Sequence, residues 1–357
     1  MSKDTSTVPG SCCGVFPGTV HLIPEGGGDR KGGHMNRRTF LAGMSGAAAA
    51  LLLARREARA ADPVRLGYQV NIWGSLSVVA LKSGLFEKMG LPVEGVRAPV
   101  GRQTRDAMVA GHVDFGTFAV PTFLLGADKG GLVAVALAGN AGKTVHVLIR
   151  PDSPIRTVAD LKGKRIATGV GASTDEVFRT RVAPKFGLTE GSYEPINTLE
   201  PDKVGVLVAK QVEASVSTEP FISIAEEQGL ARSLLSFETY DRMPVVLAAG
   251  PGVPERRRDA AVHFLRGWIA TARLFREQPQ RAAEIMTEVL TERGYKVTPS
   301  VVSKALGRFD IQVEMGPDFG TYAAAEAESL LKVGKIKAMP DWEKTLRRDL
   351  LEQAMKG

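Results

Sequence analysis

The side chains that could recognise a small molecule lie in short loops, each of which follows an apolar, strand-like run. Most are neutral hydrogen-bonding groups, joined by one arginine, one acid and two aromatic rings. In open α/β sheets, ligands bind beyond the carboxyl ends of the strands, beside helix N-termini. On that ground we expect a ligand-binding site made from Gln69, Asn71, Trp73, Gly74, Arg102, Thr117, Phe118, Asn140, Ser173, Thr174, Thr218 and Glu219.

Two of these loops carry groups suited to an anion. Arg102 lies at a predicted strand-to-helix turn, where a guanidinium can hold a carboxylate or sulfonate through two hydrogen bonds, although a solvated loop arginine is an equally good interpretation. Backbone N–H groups at 171–174 would also suit an anion. The same stretch fits a capping box, with Ser173 as N-cap and Glu176 at N3, which would satisfy those N–H groups without a ligand. The sequence leaves both alternatives open.

The remaining candidates add aromatic and acidic character. Trp73 lies in a loop of small and polar residues, which favours a place in a cleft, whereas Tyr68 at a strand end fits core packing equally well. Glu219 either accepts a hydrogen bond from an amine or caps the helix that begins at Pro220. One arginine beside several acids favours a polar ligand of mixed charge.

The sequence offers little for catalysis, metal binding or nucleic-acid binding. The histidines beyond residue 60 are far apart, with no cysteine nearby; they are His112, His146 and His263. Residues 139–144 resemble the end of a phosphate-binding loop, but Leu137 stands where that motif needs glycine. Of the net charge of +7, most lies in residues 1–60, which hold 8 Lys/Arg and 4 Asp/Glu, so no polyanion-binding surface is predicted. We therefore expect no enzyme activity, cofactor, metal or nucleic-acid partner.

Residues 1–60 read as a leader. Asn36-Arg37-Arg38-Thr39-Phe40-Leu41 matches a twin-arginine export signal, a short Ala-rich apolar stretch follows, and Ala58-Arg59-Ala60 is a small-x-small cleavage site. Met35 directly precedes the motif, so we expect residues 35–60 to be the signal peptide and residues 1–34, with Cys12 and Cys13, to be untranslated.

The rest of the chain is organised as α/β units. From Val64 onward, short β-type runs alternate with amphipathic stretches, a pattern typical of mainly parallel sheets covered on both faces; after residue 249 the chain is predicted to be helical to its end. Residues 108–114 resemble residues 207–213 at an offset of 99, and Pro121 falls on Pro220 at the same offset. The repeat predicts two similar α/β lobes with a cleft between them.

Several motifs together resemble one known family. They are Arg65-Leu-Gly-Tyr-Gln69, residues 80–91, Ala110-Gly-His-Val-Asp-Phe-Gly116, residues 152–164, Gly171-Ala-Ser-Thr174 and Thr218-Glu-Pro-Phe221. With these, the chain is similar to the substrate-binding proteins of bacterial ABC importers for nitrate, sulfonates and taurine, and to relatives that bind the pyrimidine precursor of thiamine. The sequence departs from that pattern at Thr218, where relatives often carry an aromatic residue.

The resemblance implies a two-lobed periplasmic-binding-protein fold of type II, with two parallel or mixed sheets and a hinged cleft. We expect residues 61–150 and 243–357 in the first lobe and residues 151–242 in the second. The implied role is a monomeric periplasmic subunit that captures a small polar ligand or oxyanion and delivers it to a membrane permease and its ATPase. Alternatives are a thiamine-pyrimidine binder, a periplasmic sensor or, less favoured, a pyrimidine-synthase-like enzyme, whose His/Cys-rich iron segment has no match here.

Overall fold

The computed structural model describes residues 62–356, so the predicted signal peptide and the segment before it lie outside the described residues. Within these residues, ten strands form two sheets. In chain order, the strands are β1 Val64–Tyr68, β2 Val93–Arg97, β3 Phe115–Ala119, β4 Val133–Asn140, β5 Val145–Ile149, β6 Arg165–Thr168, β7 Glu194–Asn197, β8 Ala214–Thr218, β9 Arg232–Ser236 and β10 Pro244–Ala249.

The two sheets have the same plan. The first has the order β2-β1-β3-β10-β4 and the second β7-β6-β8-β5-β9. In each, one strand runs antiparallel to its two neighbours: β10 in the first and β5 in the second. The other four strands of each sheet share one direction, so the sheets are mainly parallel with one reversed strand, and the predicted two-sheet fold is confirmed.

Helices cover both sheets. The α-helices in chain order are α1 Ser75–Lys82, α2 Leu85–Lys88, α3 Gly101–Val109, α4 Val120–Gly130, α5 Ser173–Val177, α6 Lys203–Val208, α7 Phe221–Glu227, α8 Val253–Arg256, α9 Arg258–Glu277, α10 Pro279–Glu292, α11 Pro299–Gly307, α12 Pro317–Lys332, α13 Trp342–Thr345 and α14 Arg348–Met355. Helix α5 continues as a π-helical turn, Phe178–Val182, and a 3₁₀ turn, Ala183–Phe186. Further 3₁₀ turns span Gly142–Thr144, Val158–Leu161 and Glu200–Asp202.

Strand composition follows position in the sheet. Inner strands such as β5 and β10 are buried along their whole length and carry almost only apolar side chains. The outer strands β2 and β7 are partly exposed and carry charged residues or proline, which discourage pairing with another chain. Aromatic rings pack together beside the first sheet, where Phe264 stacks on Phe115 with ring centroids 4.3 Å apart.

The C-terminal helices pack mainly beside the first sheet. Helix α9 contacts α1, α2 and α14, and α12 contacts α4. Helix α11 differs, because it packs on α10 on one side and on α7 of the second lobe on the other. We use first and second lobe for each sheet with the helices packed on it.

Candidate functional site

The predicted site residues lie at or near the carboxyl ends of the parallel strands, which form one edge of each sheet. The strands reach this edge at Tyr68, Ala119 and Asn140 in the first sheet and at Thr168 and Thr218 in the second. The chain leaves the first sheet from this edge at Asn140, enters β5 at Val145, and returns to Pro244 after β9. The two edges therefore meet beside the crossing segments, and the candidate site is the cleft between them.

The crossing segments are 141–144 and 237–243. Strand β5 pairs with β8 and β9, so the first crossing precedes Val145, a few residues before the boundary near Arg150 that we expected. The segments lie side by side: the Ala141 N–H donates to the Met243 carbonyl at 3.0 Å, and the Gly142 N–H to the Arg242 carbonyl at 2.9 Å. A Cβ atom at Gly142 would lie 2.2 Å from the Asp241 carbonyl oxygen. Glycine here permits this close approach, which accounts for the glycine in the loop that resembled a phosphate-binding motif.

The loop after β1 reaches the first crossing through Trp73. Its indole Nε1–H donates to the Thr144 hydroxyl at 2.7 Å, and that hydroxyl donates to the Ala141 carbonyl at 2.6 Å. The Asn71 side-chain oxygen accepts from the Gly74 N–H at 2.8 Å, and a Cβ on Gly74 would lie 2.1 Å from the Gln69 carbonyl oxygen. Trp73 is thus fixed in orientation between the lobes. Sequence reasoning missed Thr144, which lay within the motif it rejected.

Three other predicted residues are used inside the first lobe. Gln69 is buried, and its amide donates to the Thr104 hydroxyl at 2.6 Å. The Thr117 hydroxyl lies 3.4 Å from that of Ser77, and both residues are buried. Phe118 is buried in the apolar cluster that includes Phe123. These side chains support the edge of the sheet in this structure.

Arg102 lies in the first turn of α3, beyond β2, and is exposed. It forms no ion pair with any other residue of the described chain. A guanidinium in this position can bind an anion through two hydrogen bonds. The N-terminus of α3 also favours negative charge.

Asn140 is held by a segment that the sequence did not reveal. Its side-chain NH₂ donates to Asp310 and to Gln312, each at 3.0 Å. Main-chain bonds join Asn140 and Asp310 in both directions, so residues 309–313 run along the outer edge of β4. A strand-like alternation in Phe309-Asp-Ile-Gln-Val313 was the signal available, but it lies in a region predicted to be helical throughout.

The loop before α5 shows no capping box. Ala172, not Ser173, is the N-cap, and it makes no side-chain capping bond. Asp175 takes the supporting role instead: its carboxylate accepts from the Thr168 hydroxyl and from the Gly171 N–H, both at 3.0 Å. Ser173 and Thr174 occupy the first positions of the helix, and the carboxylate beside them is unfavourable for an anion.

The loop after β8 is tied to both the second lobe and the C-terminal helices. The Thr218 N–H donates to Glu200 at 2.7 Å. The buried carboxylate of Glu219 accepts from the Ser223 N–H and hydroxyl, at 3.1 and 2.9 Å, so it satisfies a donor in the first turn of α7, whose N-cap residue is Pro220. It also pairs with Arg308, just after α11. Burial raises the pKa of the Glu219 carboxyl, and the Arg308 charge opposes that shift.

Nothing in residues 62–356 brings three or more His, Cys, Asp or Glu side chains together as a possible metal site. Over the same residues, every helix is too short or too polar to cross a membrane.

Comparison with known proteins places this fold. Residues 75–282 match the model of the family described as NMT1/THI5 like. The chain belongs to the NMT1/THI5-like family. A Brucella abortus protein named as a putative binding protein is 32% identical over 196 residues, which is 54% of this chain and 58% of that protein. An Escherichia coli protein named as a putative aliphatic sulfonates-binding protein is 30% identical over 177 residues, 48% of this chain and 54% of that protein.

Among solved structures, the periplasmic aliphatic sulphonate binding protein SsuA of Escherichia coli is similar, with a TM-score of 0.69 and 20% identity over 80% of this chain and 92% of that one. The two curated relatives match this NMT1/THI5-like chain over less than two thirds of their own length. The family match ends at residue 282, so the segment around Arg308 and Asp310 lies beyond it.

Proposed function

We propose that the chain is the solute-binding subunit of an ABC importer and that it captures a small polar organic anion, of the sulfonate class, between its two lobes. The observation that carries the proposal is the pair of sheets between which the described main chain crosses at residues 141–144 and 237–243, with polar loops at the facing edges. Such a cleft can close on a ligand that contacts both lobes, and ligand binding then shifts the population toward the closed state.

The charges at the cleft favour a ligand with both anionic and cationic groups. Arg102 supplies an exposed cation at a helix N-terminus, and Asp310 supplies an exposed carboxylate oriented by Asn140. A sulfonate could meet the first and an ammonium group the second. Asn140 is then a positioning group, because its NH₂ hydrogens are already used. The names of the sulfonate-binding relatives support the same ligand class.

The proposal extends to the setting of the protein. It includes export by the twin-arginine route, a monomeric binding protein in the periplasm, delivery to a membrane permease with its ATPase, and no bond made or broken in the ligand. The lobe limits follow the strands, with the first lobe holding the chain up to about residue 141 and again from Pro244.

A thermal-shift screen tests the proposal. A ligand that binds only the folded state raises the unfolding midpoint as its concentration rises. We expect a shift with taurine or ethanesulfonate and a smaller one with nitrate or sulfate, followed by a calorimetric titration of the best compound. A screen in which plain nitrate or sulfate bound most tightly, or in which no sulfonate bound, would refute the proposed ligand class. Release of a chemically altered product would refute the binding-only role.

A further inference from the structure

Ionic contacts join the second lobe to the C-terminal helices on two separate sides of the crossing segments. The first set lies between α11 and α7. The Glu226 carboxylate accepts from Lys304 at 2.8 Å and from Arg308 at 2.9 Å. Arg308 also pairs with the buried Glu219, and the rings of Phe221 and Tyr295 meet edge to face with centroids 5.6 Å apart.

The second set lies between the π-helical turn of the second lobe and α12. Arg181 pairs with Asp241 in the second crossing segment and with Glu326 on α12. The Tyr322 hydroxyl donates to Asp241 at 2.9 Å. The Arg181 guanidinium also lies 5.3 Å from the centre of the Tyr322 ring, within the range of a cation–π interaction.

Both sets connect parts of the described chain between which the main chain passes through the crossing segments. Helix α11 is attached to the first lobe through α10, and α12 through α4. Their partners, α7 and the turn at Phe178–Val182, belong to the second lobe. Any rotation of one lobe against the other must therefore lengthen, shorten or exchange these contacts.

We propose that Glu226 with Lys304 and Arg308, and Glu326 with Arg181, are two ionic braces that set the angle between the lobes in the ligand-free protein. The braces limit the range of angles between the lobes in the absence of ligand. They do so through helices α11 and α12, which lie beyond the segment that matches the family. This goes beyond ligand capture itself, because it assigns the conformational equilibrium to named side chains outside the ligand-facing loops.

The test measures the width of the cleft without a ligand. Val100 and Leu199 are exposed and follow β2 and β7, the strands of each sheet farthest from the crossings. In the full chain with Cys12→Ser and Cys13→Ser, spin labels on Val100→Cys and Leu199→Cys report the distance across the mouth. Glu226→Gln with Glu326→Gln should make the distance distribution roughly twofold broader.

The matched control is Glu284→Gln. Glu284 pairs with Arg281 at 3.1 Å within α10, so its loss breaks an ion pair without touching the second lobe. Its distance distribution should equal that of the parent. A double variant that remains as narrow as the parent would overturn the proposal.

A second measurement needs no brace substitution. Because the Lys304 side chain is half exposed, about 1 M salt should screen its pair with Glu226 and broaden the parent distribution, while the unfolding midpoint shows that the protein remains folded. An unchanged distribution in high salt would also contradict the proposal. Since neither arm uses a ligand, both results stand whether or not the sulfonate assignment holds.

Discussion

The carboxylate of Asp114 holds the main chain and the side chain of Arg65 at the same time. It accepts from the Arg65 N–H at 2.8 Å and from the guanidinium at 3.0 and 3.2 Å, while the Asp114 N–H donates back to the Arg65 carbonyl. Glu213 makes equivalent contacts with Arg165 in the second lobe, accepting from its N–H and from one guanidinium nitrogen, both at 2.9 Å. The internal repeat predicted from sequence therefore includes an ion-pair clamp in each lobe. One clamp ties β1 to the start of β3, and the other ties β6 to the start of β8.

The two clamps should differ in strength. Asp114 is buried and also receives Arg257, whereas Glu213 and Arg165 are more exposed. Removing one partner of a buried pair costs about 3 kcal/mol, whereas exposed pairs contribute about 0–1 kcal/mol. We expect Asp114→Ala to lower the free energy of unfolding far more than Glu213→Ala, as measured by urea denaturation. Glu284→Ala is the surface control, and equal losses at Asp114 and Glu213 would contradict this reasoning.

The repeat also explains an unfavourable backbone conformation. Gly111 and Lys210 occupy equivalent positions in the turn before each clamp, and both have positive φ, at 77° and 60°. Glycine adopts this region freely, but a lysine there costs roughly 1 kcal/mol. We expect Lys210→Gly to raise the free energy of unfolding by about that amount and Gly111→Lys to lower it. A destabilised Lys210→Gly variant would show that the lysine side chain contributes more than its backbone costs.

Close packing of the crossing segments can be tested at Gly142. A Cβ there meets main-chain atoms, which cannot rotate away, so Gly142→Ala should lower the free energy of unfolding by about 2 kcal/mol or more. Gly205 is the matched control: it lies inside α6, and an added Cβ meets nothing within 4 Å. Gly205→Ala should stabilise the protein by about 0.5–1 kcal/mol. Similar effects at both sites would exclude steric contact as the cause.

The strands and the repeat could be predicted because they depend on local patterns. The strands Val64–Tyr68, Arg165–Thr168 and Pro244–Ala249 belong to the predicted alternation of β-type runs and amphipathic stretches, because apolar runs are visible in sequence. Which sheet β5 joins depends on pairing with β8 and β9, and no local pattern encodes that choice.

The candidate site was harder to predict because its groups are satisfied by distant partners. Asn140 is bound by Asp310 and Gln312, about 170 residues later in the chain, and Glu219 by Arg308. Arg102 was selected as the cation of the cleft from its position after a strand. Arg308 could not be selected in that way, because it follows a helix of the C-terminal region.

The orientation of Trp73 depends on one hydroxyl. Thr144→Val keeps the shape of the side chain and removes the acceptor of the indole N–H. Loss of about 1.4 kcal/mol of hydrogen bonding should speed hydrogen exchange of the Trp73 indole by about tenfold in NMR spectra. The Trp268 indole, which donates to the Leu137 carbonyl at 2.9 Å, is the internal control and should not change. An unaltered Trp73 signal would mean that packing alone orients the ring.

The stability of the protein should depend on pH through His146. His146 is buried at the start of β5, and burial followed by the nearby Arg308 charge lowers its pKa to about 4. In the unfolded chain its pKa is about 6.5, so between these values the unfolded state binds a proton that the folded state does not. The contribution of His146 is therefore complete above pH about 6.5 and is lost as the pH falls toward 4, by up to about 3 kcal/mol.

Comparison with His146→Gln isolates this effect from other acid-sensitive groups. Urea denaturation at pH 7.5 and at pH 5 should show a larger loss of unfolding free energy in the parent than in the variant, because glutamine has no proton to gain. At pH 5 the expected excess is about 2 kcal/mol, since the folded imidazole is still mostly neutral while the unfolded one is charged. Equal pH dependence of the two proteins would mean that His146 is protonated as easily in the folded state as in the unfolded chain.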